Sequence, residues 1–266
     1  MIPVMTYLLD FALVLFIARE VVQFARRYDR LKQEIAAGDP DARSRLYRRV
    51  LRFQWLSAFF ALTALRMDWN ALRPQSLGLA SFPLVTSFAR NLKGGLGGIA
   101  VGVAVGTLGL IALRLRSRHA GSNGPRRAAP IAGVRRLLPD FGAVLPVTAR
   151  ERWLWLAVSI GAGVCEEIVF RGWLLSVLHA PLGLAGTTLI LVAAGCFGLA
   201  HAYQGPAGVL LTGLAGVLFC VLYVATGGLL VPIVLHTIID ARFALLPRGE
   251  AESTTRSPAF PGLRAI

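Results

Sequence analysis

Long apolar blocks dominate the chain. They fall at residues 2–18, 50–65, 94–113, 153–178, 182–203, 207–226 and 229–246, separated by basic or glycine-containing breaks. About 20 mainly apolar residues on a helix cross a hydrocarbon core of roughly 30 Å. In lipid every backbone N–H and C=O must be satisfied within the segment, which leaves helices or closed barrels. Unbroken apolar runs of this length, without period-two alternation, select the helix. The expected fold is therefore all-α, a polytopic transmembrane helix bundle of about 7 spans, with room in the pattern for an eighth, short or re-entrant one. Composition agrees: 55% of the 266 residues are hydrophobic and 16% charged, against about 25% charged in soluble domains.

The formal charge of +14 would point to nucleic acid in a soluble chain. Here the cations sit between apolar blocks: ten Lys/Arg in 19–52 and nine in 114–152, but four in 66–93. Placed so, they act as topology determinants facing anionic lipid, and no nucleic-acid partner is expected. They put the two basic connections and the C-terminus in the cytoplasm, in what the Arg-, Ala- and Gly-rich composition marks as a bacterial inner membrane. The first block lacks a basic n-region and a small-residue cleavage site, and reads as a retained helix. Four regions are expected: N-terminal transmembrane helices with a basic loop (1–118), a flexible basic connection (119–150), a four-helix catalytic core (151–246) and a disordered tail (247–266). The glycines of 94–109 have neither a preceding strand nor a following Lys-Ser/Thr, so they read as a helix-packing face and not a phosphate loop. Cys165, Cys196 and Cys220 lie in apolar blocks without ligand spacing and read as core residues.

Ionisable residues inside a span cost about 2.5–3.5 kcal/mol each on insertion scales, so their placement is informative. The C-terminal half carries Glu166, Glu167, Arg171, His201, His236 and Asp240 within apolar blocks. Glu167 and Arg171 are four apart, with Glu on the N-terminal side, which is the favourable order for an ion pair on one helix face. Glu166 points about 100° away and has no partner on its own helix. A buried carboxylate in that position must be protonated, meet a cation or be solvated in a cavity. His236 and Asp240 are also four apart, and an Asp behind a His orients the ring. His119 and His179 are expected to face solvent. Arg152 to Glu166 is about 21 Å of helix and Gly228 to His236 about 12 Å, which lets the two side chains meet from opposite faces of the bilayer. His201 lies nearer the end of its block than that depth requires.

Three pieces, Glu-Glu-x-x-x-Arg at Glu166 to Arg171, Phe-x-x-x-His at Phe197 to His201 and His-x-x-x-Asp at His236 to Asp240, occur in this order on successive helical segments. The pattern resembles the CPBP family of intramembrane proteases, which includes type II CaaX prenyl proteases and bacteriocin-processing relatives. The likeness covers about 153–246. It implies endopeptidase cleavage of a membrane-associated protein or peptide by glutamate-activated water. By matching position, Glu166 would be the general base and His201, His236 and Asp240 its catalytic partners. Glu167, Arg171 and Phe197 would form the supporting shell. The family usually carries Asn where this chain has Asp240, and an ionised Asp cannot donate a hydrogen bond. Glu166, His201 and His236 also have the ligand types of a catalytic Zn²⁺ site, and they suit a metal-free mechanism equally. The competing classes are a non-proteolytic scaffold or immunity protein of the same fold, and a proton-coupled transporter. The absence of an inverted repeat weighs against the transporter.

Overall fold

The computed structural model describes residues 4–65, 142–180 and 182–245. The expected span at 94–113, its glycine-rich face, the connection at 66–93, the flexible stretch at 119–130 with His119, and the tail at 247–266 lie outside the described residues.

Among the described residues the chain is all-helical: α1 (Val4–Ala36), α2 (Ala42–Ala64), α3 (Ala149–His179), α4 (Gly186–Ala200), α5 (Gly205–Thr226) and α6 (Leu230–Ala241). Short 3₁₀ turns at Gly142–Val144, Ala202–Gln204 and Arg242–Leu245 join or extend them. Two helical stretches, Ala149–His179 and Ala202–Thr226, are long and apolar enough to cross a membrane, and Gly186–Ala200 is apolar but shorter. Among the described residues two of the seven expected blocks form helices of that kind, and the block at 94–113 lies outside them. Blocks 182–203 and 229–246 build helices of only 15 and 12 residues, because a loop before Gly186 and a 3₁₀ turn at Ala202–Gln204 consume part of the first and a 3₁₀ turn at Arg242–Leu245 ends the second.

The N-terminal basic region is also organised differently from expectation. Residues 19–52 are not a long loop. α1 runs 33 residues to Ala36 and α2 begins at Ala42, so the cations ride on helix ends that extend past the apolar stretch. The turn between them is tied by Arg45, which contacts Glu34 at 2.8 Å and Asp39 at 2.5 Å. Arg45, with the Asp41 amide, holds the Asp39 carboxyl below its ordinary range.

α3 begins with a capping box. Thr148 Oγ1 accepts from the Glu151 amide at 3.2 Å, and Glu151 Oε2 accepts from the Thr148 amide at 2.9 Å. Its first turns dock on the far end of α6: Trp155 Nε1 donates to Asp240 O at 2.9 Å and Arg152 donates to Ala244 O. Past Gly161 the helix widens into π turns at Ala162–Glu166 and Ile168–Leu174. π turns are rare and concentrate at functional sites. They also alter the 100° step between neighbours that a regular α-helix predicts for Glu166 and Glu167.

Small residues set the closest helix approaches. On α4, a Cβ at Gly198 would come within 2.6 Å of Val209 O on α5. On α3, a Cβ at Gly163 would collide with Thr237 Oγ1 and lie 2.7 Å from Ile233 O, both on α6. This second approach brings α6 onto the π turn that carries Glu166. One hydrophobic cluster then joins the N-terminal helices to the C-terminal ones, with Leu13 and Ala61 against Val169, Phe170, Trp173 and Phe197.

Candidate active site

The π turn of α3, the C-terminal end of α4 and the middle of α6 converge on Glu166. Its Oε2 lies 3.9 Å from His201 Nε2 and 4.0 Å from His236 Nε2. That oxygen is buried and makes no hydrogen bond. Asp240 Oδ2 is 3.7 Å from the same His236 nitrogen. The structure therefore brings together all four residues expected to act: Glu166, His201, His236 and Asp240.

Beneath them lies a buried charge network. Arg171 Nη1 donates to Glu167 Oε1 at 2.9 Å, with the two side chains 1% and 0% exposed. Arg171 also donates to Gly216 O at 3.3 Å and stacks 4.5 Å from the Phe197 ring and 5.2 Å from the Phe219 ring. The i,i+4 spacing predicted the ion pair. It did not predict that Glu167 Oε1 also faces His236 Nδ1 at 2.8 Å. The sequence placed Asp240 behind the His236 ring, whereas the carboxylate at Nδ1 is Glu167, and Asp240 stands on the Nε2 side. α6 crosses α3 at Gly163, and this puts Glu167 within reach of a residue 69 positions away.

The ring nitrogens follow from these partners. Glu167 as a carboxylate accepts only, so His236 carries hydrogen on Nδ1 and turns Nε2 toward Glu166. Phe197 O likewise only accepts, and it lies 2.9 Å from His201 Nδ1. His201 therefore also presents Nε2 to Glu166. Phe197 supports the site three ways: through its carbonyl, through its ring under Arg171, and through ring contacts 4.8 Å from His201 and 6.1 Å from His236. Phe219 stacks on His236 at 5.0 Å and 17°. His201 sits near the end of its block because α4 is short; it caps that helix, and the short helix brings it to the depth of Glu166.

Glu166 and the two histidines have the donor chemistry of zinc, but their spacing is wide. Two ligands about 2.0–2.2 Å from one tetrahedral zinc lie roughly 3.3–3.5 Å apart, against 3.9 and 4.0 Å here. Among the described residues no group of three or more His, Cys, Asp or Glu side chains is arranged to hold a metal ion. In this arrangement the three side chains do not fit the ion.

A cavity of about 130 Å³ opens beside Glu166 and His201. Phe24 and Phe53 from α1 and α2 and Val169 and Phe170 from α3 give it apolar walls, and Glu20, Arg27 and Arg49 also line it. Two polar residues of the apolar helices went unremarked in the sequence. Gln54 on α2 is buried in the cavity wall. Asp10 on α1 accepts from Trp173 Nε1 at 2.7 Å, although an acid within the first apolar block was itself a signal. His179, expected in solvent, is half-buried with Nδ1 2.9 Å from Leu184 O. Cys165 and Cys220 are buried and Cys196 half-buried, all as free thiols.

A helical bundle whose apolar helices enclose a carboxylate, two histidines and a buried ion pair is an integral membrane protein with the chemistry of a hydrolase. Residues 148–242 match the family model for type II CAAX prenyl endopeptidase Rce1-like proteins. That match is in keeping with the CPBP pattern of the three motifs. No curated protein and no solved structure matches the chain.

Proposed function

We propose that the protein is an intramembrane endopeptidase in which Glu166 activates the attacking water. The observation that carries this reading is Glu166 Oε2, a buried carboxylate oxygen without a hydrogen bond, facing two imidazole Nε2 atoms, with Glu166 and His201 lining a largely apolar cavity. The gaps of 3.9 and 4.0 Å are too long for direct hydrogen bonds, and a water admitted between them would meet a carboxylate and two imidazoles. Glu166 takes a proton from that water as its oxygen bonds to the scissile carbonyl carbon. The C–N bond then breaks, and the same proton passes to the leaving amine. In its doubly protonated, imidazolium form, His236 or His201 donates Nε2–H to the tetrahedral oxyanion while Nδ1–H stays on Glu167 or Phe197 O. Arg171 and Glu167 hold the His236 ring in register throughout.

The substrate is a membrane-associated protein or peptide. The family description names prenylated CAAX ends, and a farnesylated CAAX peptide is the first substrate to try. The apolar cavity suits a lipidated or apolar segment. The site is expected in a bacterial inner membrane with the C-terminus in the cytoplasm.

The test is Glu166→Gln in purified protein in lipid nanodiscs, with a fluorescence-quenched farnesylated CAAX peptide. The neutral amide keeps the volume and removes the base, so folded yield holds while cleavage falls by at least about 10²-fold. Wild-type turnover by this variant would refute the assigned base. A fully active phenotype in cells that express Glu166→Gln would instead favour a scaffold of the same fold.

A further inference from the structure

One stripe of α2 faces the cavity beside Glu166: Leu46, Arg49, Val50, Phe53, Gln54 and Ser57. Alternate steps of three and one keep these residues on a single helix face, so Arg49 belongs to the cavity wall although it is exposed. Glu20 and Arg27 line the cavity from α1, but they neutralise each other. Arg27 Nη1 lies 2.6 Å from Glu20 Oε2, and Arg19 adds a second cation 3.6 Å from Glu20 Oε1. Arg49 is different: among the described residues it has no hydrogen-bond or ion-pair partner. It lies on the side of the turn between α1 and α2, and Glu166 lies further in. Gln54 meets Val158 and Gly161, while Ala61 joins the cluster of Val169 and Phe170. Glu166 therefore stands between the levels of residues 54 and 61 on α2, which is roughly 8–18 Å of regular helix beyond Arg49.

We propose that Arg49 is a specificity-determining residue that binds the free C-terminal carboxylate of the substrate, so that the protein cleaves close to a chain end. The inference rests on the peptidase reading and names its substrate class, apolar or lipidated peptides that terminate inside the cavity. The chemistry of the cavity selects the partner. Its apolar walls admit apolar side chains or a lipid chain, and neither carries a charge. The terminal carboxylate is the anion that even a wholly apolar chain end brings, and a planar guanidinium matches it with two parallel N–H donors. Glu166, as a carboxylate, repels the same group. The two charges together turn the peptide so that its C-terminus points toward the turn between α1 and α2. A separation of roughly 8–18 Å equals about two to five residues of extended peptide, which is the length of the fragment released.

The test compares one farnesylated CAAX peptide with its C-terminus as the free acid or as the carboxamide. Kd is measured by fluorescence polarisation in a Glu166→Gln background, in nanodiscs of neutral lipid and again with phosphatidylglycerol. In neutral lipid the acid is expected to bind about 3- to 10-fold tighter, between the worth of an exposed ion pair and that of a charge-assisted hydrogen bond. Arg49→Gln should bind the two forms alike, and Arg49→Glu should prefer the amide. Both variants are expected to keep the melting temperature, since Arg49 is exposed. Ten residues added beyond the same cleavage site should weaken binding as much as amidation does. With Glu166 restored, mass spectrometry should place the cut about two to five residues from the acid end. Equal binding of acid and amide when Arg49 is present would overturn the inference, as would an acid preference that survives in Arg49→Gln. A loss in Arg49→Gln that is shared by both peptides and confined to phosphatidylglycerol nanodiscs would also overturn it and mark Arg49 as a lipid-headgroup contact. An acid preference that depends on Arg49, with neither peptide cut by the wild type, would sustain the carboxylate site and overturn the peptidase reading.

Discussion

Glu166 and Glu167 are adjacent in sequence and opposite in circumstance. Glu167 is fully buried and meets Arg171 and His236 through one oxygen, whereas Glu166 meets no donor. Substitutions should separate them. Arg171→Ala leaves Glu167 without its cation in a dry environment, and breaking a buried pair costs about 3–5 kcal/mol. Both Arg171→Ala and Glu167→Gln are expected to lower the monodisperse yield on size exclusion and the melting temperature, while Glu166→Gln leaves both near wild type. Equal yields for all three variants would contradict this division. Asp240 faces His236 from the Nε2 side at 3.7 Å and does not hold its Nδ1. Asp240→Asn is therefore expected to retain cleavage within about tenfold, because the tautomer of His236 is set by Glu167.

At the level of elements, the site depends on how closely α6 approaches the π turn of α3. Gly163→Ala places a methyl group against Thr237 and Ile233 O, and overpacking of this kind costs about 1–3 kcal/mol. A shift of roughly 1 Å in α6 would lengthen the His236–Glu167 contact, and misplacement on this scale can lower turnover about 10²-fold. The expected outcome is a measurable loss of stability with a disproportionate loss of cleavage. Recovery by Gly163→Ala combined with Thr237→Ser or Thr237→Ala would identify the steric cause. The π turns were not legible in the sequence, where 162–174 reads as part of one regular apolar helix. The capping box at Thr148 and Glu151 was legible, as the Thr-x-x-Glu spacing is a local signature.

Across the whole molecule, two expectations follow from charge placement and ligand spacing. The turn between α1 and α2 should face the cytoplasm, because its flanking helices carry the ten cations of 19–52. In a cysteine-free background, Ala37→Cys, exposed in that turn, should react with an impermeant maleimide only after the inner face is opened. Labelling in intact cells would invert the topology. Ser44, although in the same basic region, is buried and unsuited to such labelling. The second expectation concerns metal. With the carboxylate–imidazole gaps wider than one tetrahedral ion sets, dialysis against a chelator should leave cleavage unchanged. Loss of activity restored by Zn²⁺ would show that the side chains close around an ion.

Local physics made much of this protein legible from its residues alone. Apolar run length against bilayer thickness determined a helical membrane protein. The i,i+4 spacing of Glu167 and Arg171 determined their ion pair, and the order of the three motifs pointed to the protease-family likeness found at residues 148–242. Where the apolar blocks end as helices was less legible, because loops and 3₁₀ turns shortened α4 and α6 without a change in hydropathy. The partnership of Glu167 with His236, the seating of His201 at the end of α4, the contact of Asp10 with Trp173 and the place of Gln54 in the cavity wall were decided only by tertiary structure. Each joins helices far apart in sequence, and each depends on a close approach such as that of Gly163 to Thr237, which periodicity along a single helix does not encode.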